Sequence, residues 1–121
     1  MQKRIEGTNF VEVIDFKEDS TPVHGIIDED ELIVIPQKYA KIEYHKGYFI
    51  AKDAETSEFS LFDNIGQHIF PPMYDSIAFV EDSASGDYFE MYKENRLKAK
   101  YLTKTKEMID VLDNTQKNPA P

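Results

Sequence analysis

At 121 residues and 40% hydrophobic content, the chain is expected to bury one core and not to carry a second, and it is too apolar for general disorder. It has no cysteine, which excludes a disulfide scaffold and a thiolate metal site, and no apolar run near the roughly 18 residues that span a bilayer. Its net charge of −9, from 23 acidic and 14 basic side chains, repels phosphate backbones and attracts basic proteins.

In chain order, the opening "MQKRIEGTNF" carries two basic residues with no apolar stretch behind them. No secretory signal is expected there, and a cytoplasmic location is. "TNFVEVIDF" (8–16) reads as a strand that feeds through "KEDSTP" into "VHGIID". The turn "DEDE" (28–31) precedes "LIVIP" and "YAKIEY". "YFIAK" (48–52) and "EFSLF" (58–62) flank the polar "DAETS", a hairpin loop. "DNIG" (63–66) is a turn with Asp at its start and Gly at its end. "QHIF" then meets Pro71-Pro72, which cannot donate to a central ladder and must end the strand or force it to an edge. "YDSIAFV" restarts an extended segment, and "DYFEMYK" (87–93), the turn "ENR" and "LKAKYL" (97–102) form another hairpin. For residues 105–112 two readings stay open, a turn and strand or a short helix, because Met108, Val111 and Leu112 also sit at helical spacing. The fold class expected is all-β, mainly short antiparallel strands.

"IFPPMYDSI" (69–77) echoes "VIPQKYAKI" (34–42). A shift of 35 residues aligns Asp28 with Asp63, Pro36 with Pro71, Tyr39 with Tyr74, Ile42 with Ile77 and Tyr44 with Phe79. A period of this size marks an array of units, none of which can bury its apolar face alone. About three units are expected: a partial one over 1–27, two around 20–52 and 53–93, and a degenerate one over 94–114. Together they would make one domain, 1–114, followed by an irregular tail, 115–121. Asp28 and Asp63 share a turn position at which a carboxylate accepts backbone N–H groups two residues on.

The two frames "HGIIDEDELIVIPQKYAKI" and "FSLFDNIGQHIFPPMYDSI" resemble the WG repeat, a bacterial β-repeat. His24 stands in place of its Trp in the first, and Phe59-Ser60 stands where Trp-Gly would be in the second. "AKYLTKTKEMI" is a degenerate third copy, so the resemblance covers roughly residues 20 to 110. It implies a non-enzymatic β module with no shared catalytic residues. Without the Trp, other aromatics must fill the units, and Tyr39, Tyr44, Phe49, Phe59, Tyr74 and Phe79 are the expected core set.

No motif points to catalysis. His24, His45 and His68 form no i, i+2 or i, i+4 ligand pair, and neither a glycine-rich phosphate loop nor a G-x-S-x-G elbow occurs. "DEDE" lacks the spacing and distal Glu of an EF-hand loop. No enzyme, cofactor or metal is expected.

Charge is unevenly spread: residues 1–90 carry −12, 91–106 carry +5 and the remainder −2. If the units stack in register, the acidic loops would project side by side: Glu18-Asp19, Asp28-Glu29-Asp30-Glu31, Asp53 with Glu55 and Glu58, and Glu81-Asp82 with Asp87. Such a surface steers a basic partner, with Tyr48 or Tyr88 as aromatic anchors. The most specific expectation is a small immunity protein that neutralises a basic bacterial toxin, a nuclease above all, without binding nucleic acid or membrane itself. The alternative is a general interaction or structural repeat module, self-associating through exposed edge strands. Lys93, Arg96, Lys98, Lys100, Lys104 and Lys106 are expected to protect an edge strand or pair with acidic loops, in preference to a phosphate or RNA contact.

Overall fold

The computed structural model describes residues 1–111, and in these the chain is all-β, with no helix. Its strands are β1 (Gln2–Arg4), β2 (Val11–Phe16), β3 (Pro22–Ile27), β4 (Ile33–His45), β5 (Tyr48–Asp53), β6 (Phe59–Asp63), β7 (His68–Tyr74), β8 (Ser76–Val80), β9 (Tyr88–Lys93), β10 (Arg96–Leu102) and β11 (Glu107–Asp110). A seven-stranded antiparallel sheet runs β1 to β7 in sequence order, and a four-stranded one runs β11-β10-β9-β8. The chain divides into two compact units, Met1–Met73 and a second beginning at Tyr74.

In the first unit β4 decides the geometry. "LIVIP" and "YAKIEY" are one strand: its first half pairs with β3 and its second with β5. Between the pairs His24–Tyr39 and Ile26–Ile35, β3 advances two residues while β4 advances four, so β4 bulges outward after Pro36. A second irregularity at Ala40 separates the Tyr39–Asp53 and Lys41–Lys52 pairs. The eleven steps of a straight strand from Val34 to His45 would span about 36 Å. Yet His45 pairs with Tyr48 and Tyr48 with Asp63, while Gly66, closing the Asp63 turn, packs against the Val34 carbonyl. The two ends of β4 are therefore drawn together, and the bulges bend the strand. Pro36 costs no ladder bond toward β5, whose register begins only at Tyr39. Pro71 and Pro72 lie within β7, at the edge of its sheet, as a proline pair requires.

The bend closes β4 over a core of Ile26, Ile35, Tyr39, Phe49, Ala51 and Phe62, against which Ile5, Phe10, Val34, Ile42 and Tyr44 pack. Phe10 meets Phe49 edge-on at 5.2 Å, and Tyr39 meets Phe62 at 5.7 Å. Of the expected aromatic set, Tyr39, Phe49 and Tyr74 are buried and Tyr44 and Phe79 half-buried. Phe59 is only half-buried because it opens β6 beside a loop, with the Lys52 ammonium 5.9 Å from its ring. Phe62 and Phe70 fill the first unit in addition to those expected.

The second unit buries Phe89, Met91, Ala99 and Tyr101 on one sheet face, with Phe79 5.0 Å from Phe89. Residues Glu107–Asp110 take the strand reading, since pairing with β10 satisfies their backbone, whereas so short an isolated helix is marginal. Leu112 and the tail 115–121 lie outside the described residues. The lysines of β10 do not guard an edge: β10 lies between β9 and β11. Lys98 is the extra residue of a bulge opposite Tyr92, and Lys100 stands across from Glu90 with its ammonium 5.1 Å from the Tyr88 ring.

Candidate functional site

The turns that carry the acidic residues are built by their own aspartates. Asp28 Oδ1 accepts the N–H groups of Asp30 (2.8 Å) and Leu32 (2.9 Å), and Asp63 Oδ1 those of Ile65 (3.0 Å) and Gln67 (2.9 Å). Both turns also close through the same backbone bonds, Asp28 N–H to Leu32 O and Asp63 N–H to Gln67 O. Their fourth residues, Glu31 and Gly66, share a positive φ of 65° and 87°. The 35-residue echo thus marks one turn built twice.

Other aspartates serve their loops in the same way. Asp53 Oδ2 accepts the N–H groups of Glu55 and Thr56 and the Thr56 hydroxyl. These bonds, the Thr56 N–H above all, hold its pKa below the ordinary aspartate value, and the Lys38 charge adds to them. Asp82 takes the Ser85 hydroxyl and the Ala84 and Ser85 N–H groups, which lower its pKa likewise. Asp87 accepts the Asp82 N–H at 3.1 Å, and Asp19 that of Thr21 at 3.0 Å. An aspartate carboxylate turned back onto its own backbone offers a partner less than a glutamate projecting beside it.

The three acidic clusters of the first unit do not form one row. Asp28–Glu31 and the Lys17–Thr21 turn with Glu18 and Asp19 sit at opposite ends of β3. What adjoins Asp28–Glu31 is the Asp63 turn, through the Gly66–Val34 contact, with Tyr48 paired to Asp63 at its base. Asp53 and Glu55 instead line a groove of about 350 Å³ together with Lys17, Gln37 and Lys38, so its wall carries both signs of charge. Glu58 ends that loop, its carbonyl accepting the Asp53 N–H. Glu81, Asp82 and Asp87 belong to the second unit, as does Tyr88, whose ring the Lys100 ammonium overlies.

Sequence reasoning missed the apolar part of this surface. Leu32, Ile33 and Ile65 are 64%, 73% and 69% exposed, Leu32 and Ile65 on the two adjoining turns and Ile33 at the start of β4. The signal was present, because Ile65 occupies a turn position that normally takes a polar residue. It also missed the partner of His24, whose Nδ1 lies 2.6 Å from Glu12 Oε2 with both side chains largely buried. Glu12 lies on the neighbouring strand, two residues from Ile14, the residue directly opposite His24. His45 and Lys41 flank Glu43 at 3.2 and 2.9 Å; the Lys41 bond, foremost, holds the Glu43 pKa down. His68 stacks on Phe62 at 4.1 Å, and burial, with the Lys38 charge, lowers its pKa.

Among the described residues no three His, Asp or Glu side chains converge in a way that could hold a metal ion, and no helix is long and apolar enough to cross a membrane. No protein-family model, no curated protein and no solved structure matches the chain.

Proposed function

We propose that this chain is a non-enzymatic protein-binding module of the WG-repeat kind, acting in the cytoplasm on a basic protein. Its most specific form is an immunity protein that neutralises a basic bacterial toxin, a nuclease foremost. The observation that carries the reading is the exposed acid of the first unit. Residues 1–73 hold fourteen acidic against seven basic side chains, and Glu29, Asp30 and Glu31 stand exposed on a turn that Asp28 already closes. Acid presented on a braced turn captures a cationic groove without first ordering a loop, which favours fast, steered association.

The test is a pull-down from cells of origin across an ionic-strength series, followed by reconstitution with the recovered protein. A single basic protein, forming an equimolar complex that survives moderate salt and whose toxicity co-expression suppresses, is the expected result. Recovery of the bait alone, or no protection by co-expression, overturns the toxin reading and leaves a self-associating repeat module.

A further inference from the structure

We propose that the basic partner docks on the paired turns Asp28–Ile33 and Asp63–Gln67, seating an apolar side chain against Leu32, Ile33 and Ile65 while its Lys or Arg residues meet the surrounding carboxylates. The inference rests on the reading above and names the surface that performs it.

Three observations converge on this place. Gly66 touches the Val34 carbonyl, so the two turns adjoin, and each is held by an aspartate that accepts two backbone N–H groups. The platform is therefore set before any partner arrives. Three large aliphatic side chains on it are each more than three-fifths exposed, an arrangement that costs solubility. Glu29, Asp30 and Glu31 immediately precede Leu32 and Ile33 in the chain and remain at the surface. Exposed apolar side chains bordered by carboxylates are the composition of a protein contact, in which burial supplies the affinity and the charges the choice of partner.

The occupant follows from charge. A second copy of this chain would bring one acidic turn against another, and an acidic or phosphorylated ligand would be repelled in the same way. A cationic protein surface with an apolar projection fits both parts. The other acidic clusters suit it less. Asp53 and Glu55 share their groove with Lys17 and Lys38. The carboxylates of Asp82 and Asp87 accept hydrogen bonds from their own loop.

Two synthetic peptides test the proposal: one with two lysines on each side of a Leu-Phe-Leu core, and one with three serines in the core instead. Each is titrated into the isotope-labelled full chain while backbone amide shifts are followed. The expected result is perturbation centred on residues 28–34 and 63–67, with the apolar-core peptide binding about tenfold tighter or better, as burial of one or two aliphatic contacts implies. Ile65→Ser alone, and Leu32→Ser with Ile33→Ser, should each erase most of that preference and leave the amide spectrum elsewhere unchanged. Equal binding of the two peptides, or shifts confined to Glu18–Asp19, Glu55 or residues 81–87, overturns this docking site while sparing the basic-partner reading. Absence of any shift with either peptide overturns both.

Discussion

Whether a position can carry a methyl group separates residues that look alike in the sequence. Gly47 and Gly66 both have positive φ, at 94° and 87°. A Cβ at Gly47 would meet nothing within 4 Å, whereas at Gly66 it would overlap the Val34 carbonyl oxygen. Gly47→Ala should therefore cost about 1 kcal/mol, the left-handed penalty less the gain from a stiffer unfolded chain. Gly66→Ala carries the same penalty plus the displacement of one turn from another, about 2–4 kcal/mol in all. Urea unfolding of both variants checks this, and equal midpoints would mean that the turns do not touch. Gly25 belongs to the same kind of position. Its added Cβ would lie 2.7 Å from the Gln37 Cα, because the β4 bulge crosses directly over it. The corresponding residue of the second frame, Ser60, is fully buried with its hydroxyl turned to the Ala51 carbonyl at 3.4 Å. The aligned frames hold a small residue at both positions, but its cause is not legible in them, since the bulge that imposes it lies twelve residues further on.

Strands with apolar alternation were legible as elements, and those that owe their state to a neighbour were not. β1 is Gln-Lys-Arg, without an apolar residue, and is extended because it pairs with β2 from Gln2–Val13 to Arg4–Val11. The two halves of β4 read as separate segments because a proline stood between them, and only the change of partner at Tyr39 shows one bent strand. The acidic loops were legible as loops. Which carboxylates they consume was not, because a turn that folds an aspartate back differs from an open one only in three dimensions. The Asp53 loop gives this a pH signature. The unfolded chain, with the higher aspartate pKa, takes up its proton first as pH falls. The loop's contribution is thus complete above the ordinary aspartate value of about 4 and is lost as pH drops through the lowered folded value. Asp53→Ala should cost on the order of 1 kcal/mol near neutral pH, the net worth of its hydrogen bonds at a half-exposed site. It should also flatten the acid limb of the stability curve, measured by unfolding midpoints from neutral pH to about 3. An unchanged limb would place the acid sensitivity in other carboxylates.

For the molecule as a whole, charge sets what an open edge can accept. β11 closes the four-stranded sheet on one side with all four residues exposed, Met108 and Ile109 at 41% and 43%. An edge with an apolar centre invites another strand. In the antiparallel self-pairing that uses all four residues, Glu107 of one copy stands across from Asp110 of the other, twice in each dimer. Like charges directly opposite destabilise a ladder, and each copy brings a net −9 besides. Sedimentation at neutral pH and low salt should therefore find a single species at the monomer mass of 14.0 kDa across the concentration series. Glu107→Gln with Asp110→Asn removes both facing pairs while keeping shape and hydrogen-bonding groups, and should let dimers form as concentration rises. A native chain that already dimerises under these conditions would favour self-association over a basic partner. A double variant that stays monomeric would show that the carboxylates do not guard this edge. The acid that draws a cationic partner to the turns of the first unit is, on this argument, of one kind with the acid that keeps β11 from its own copy.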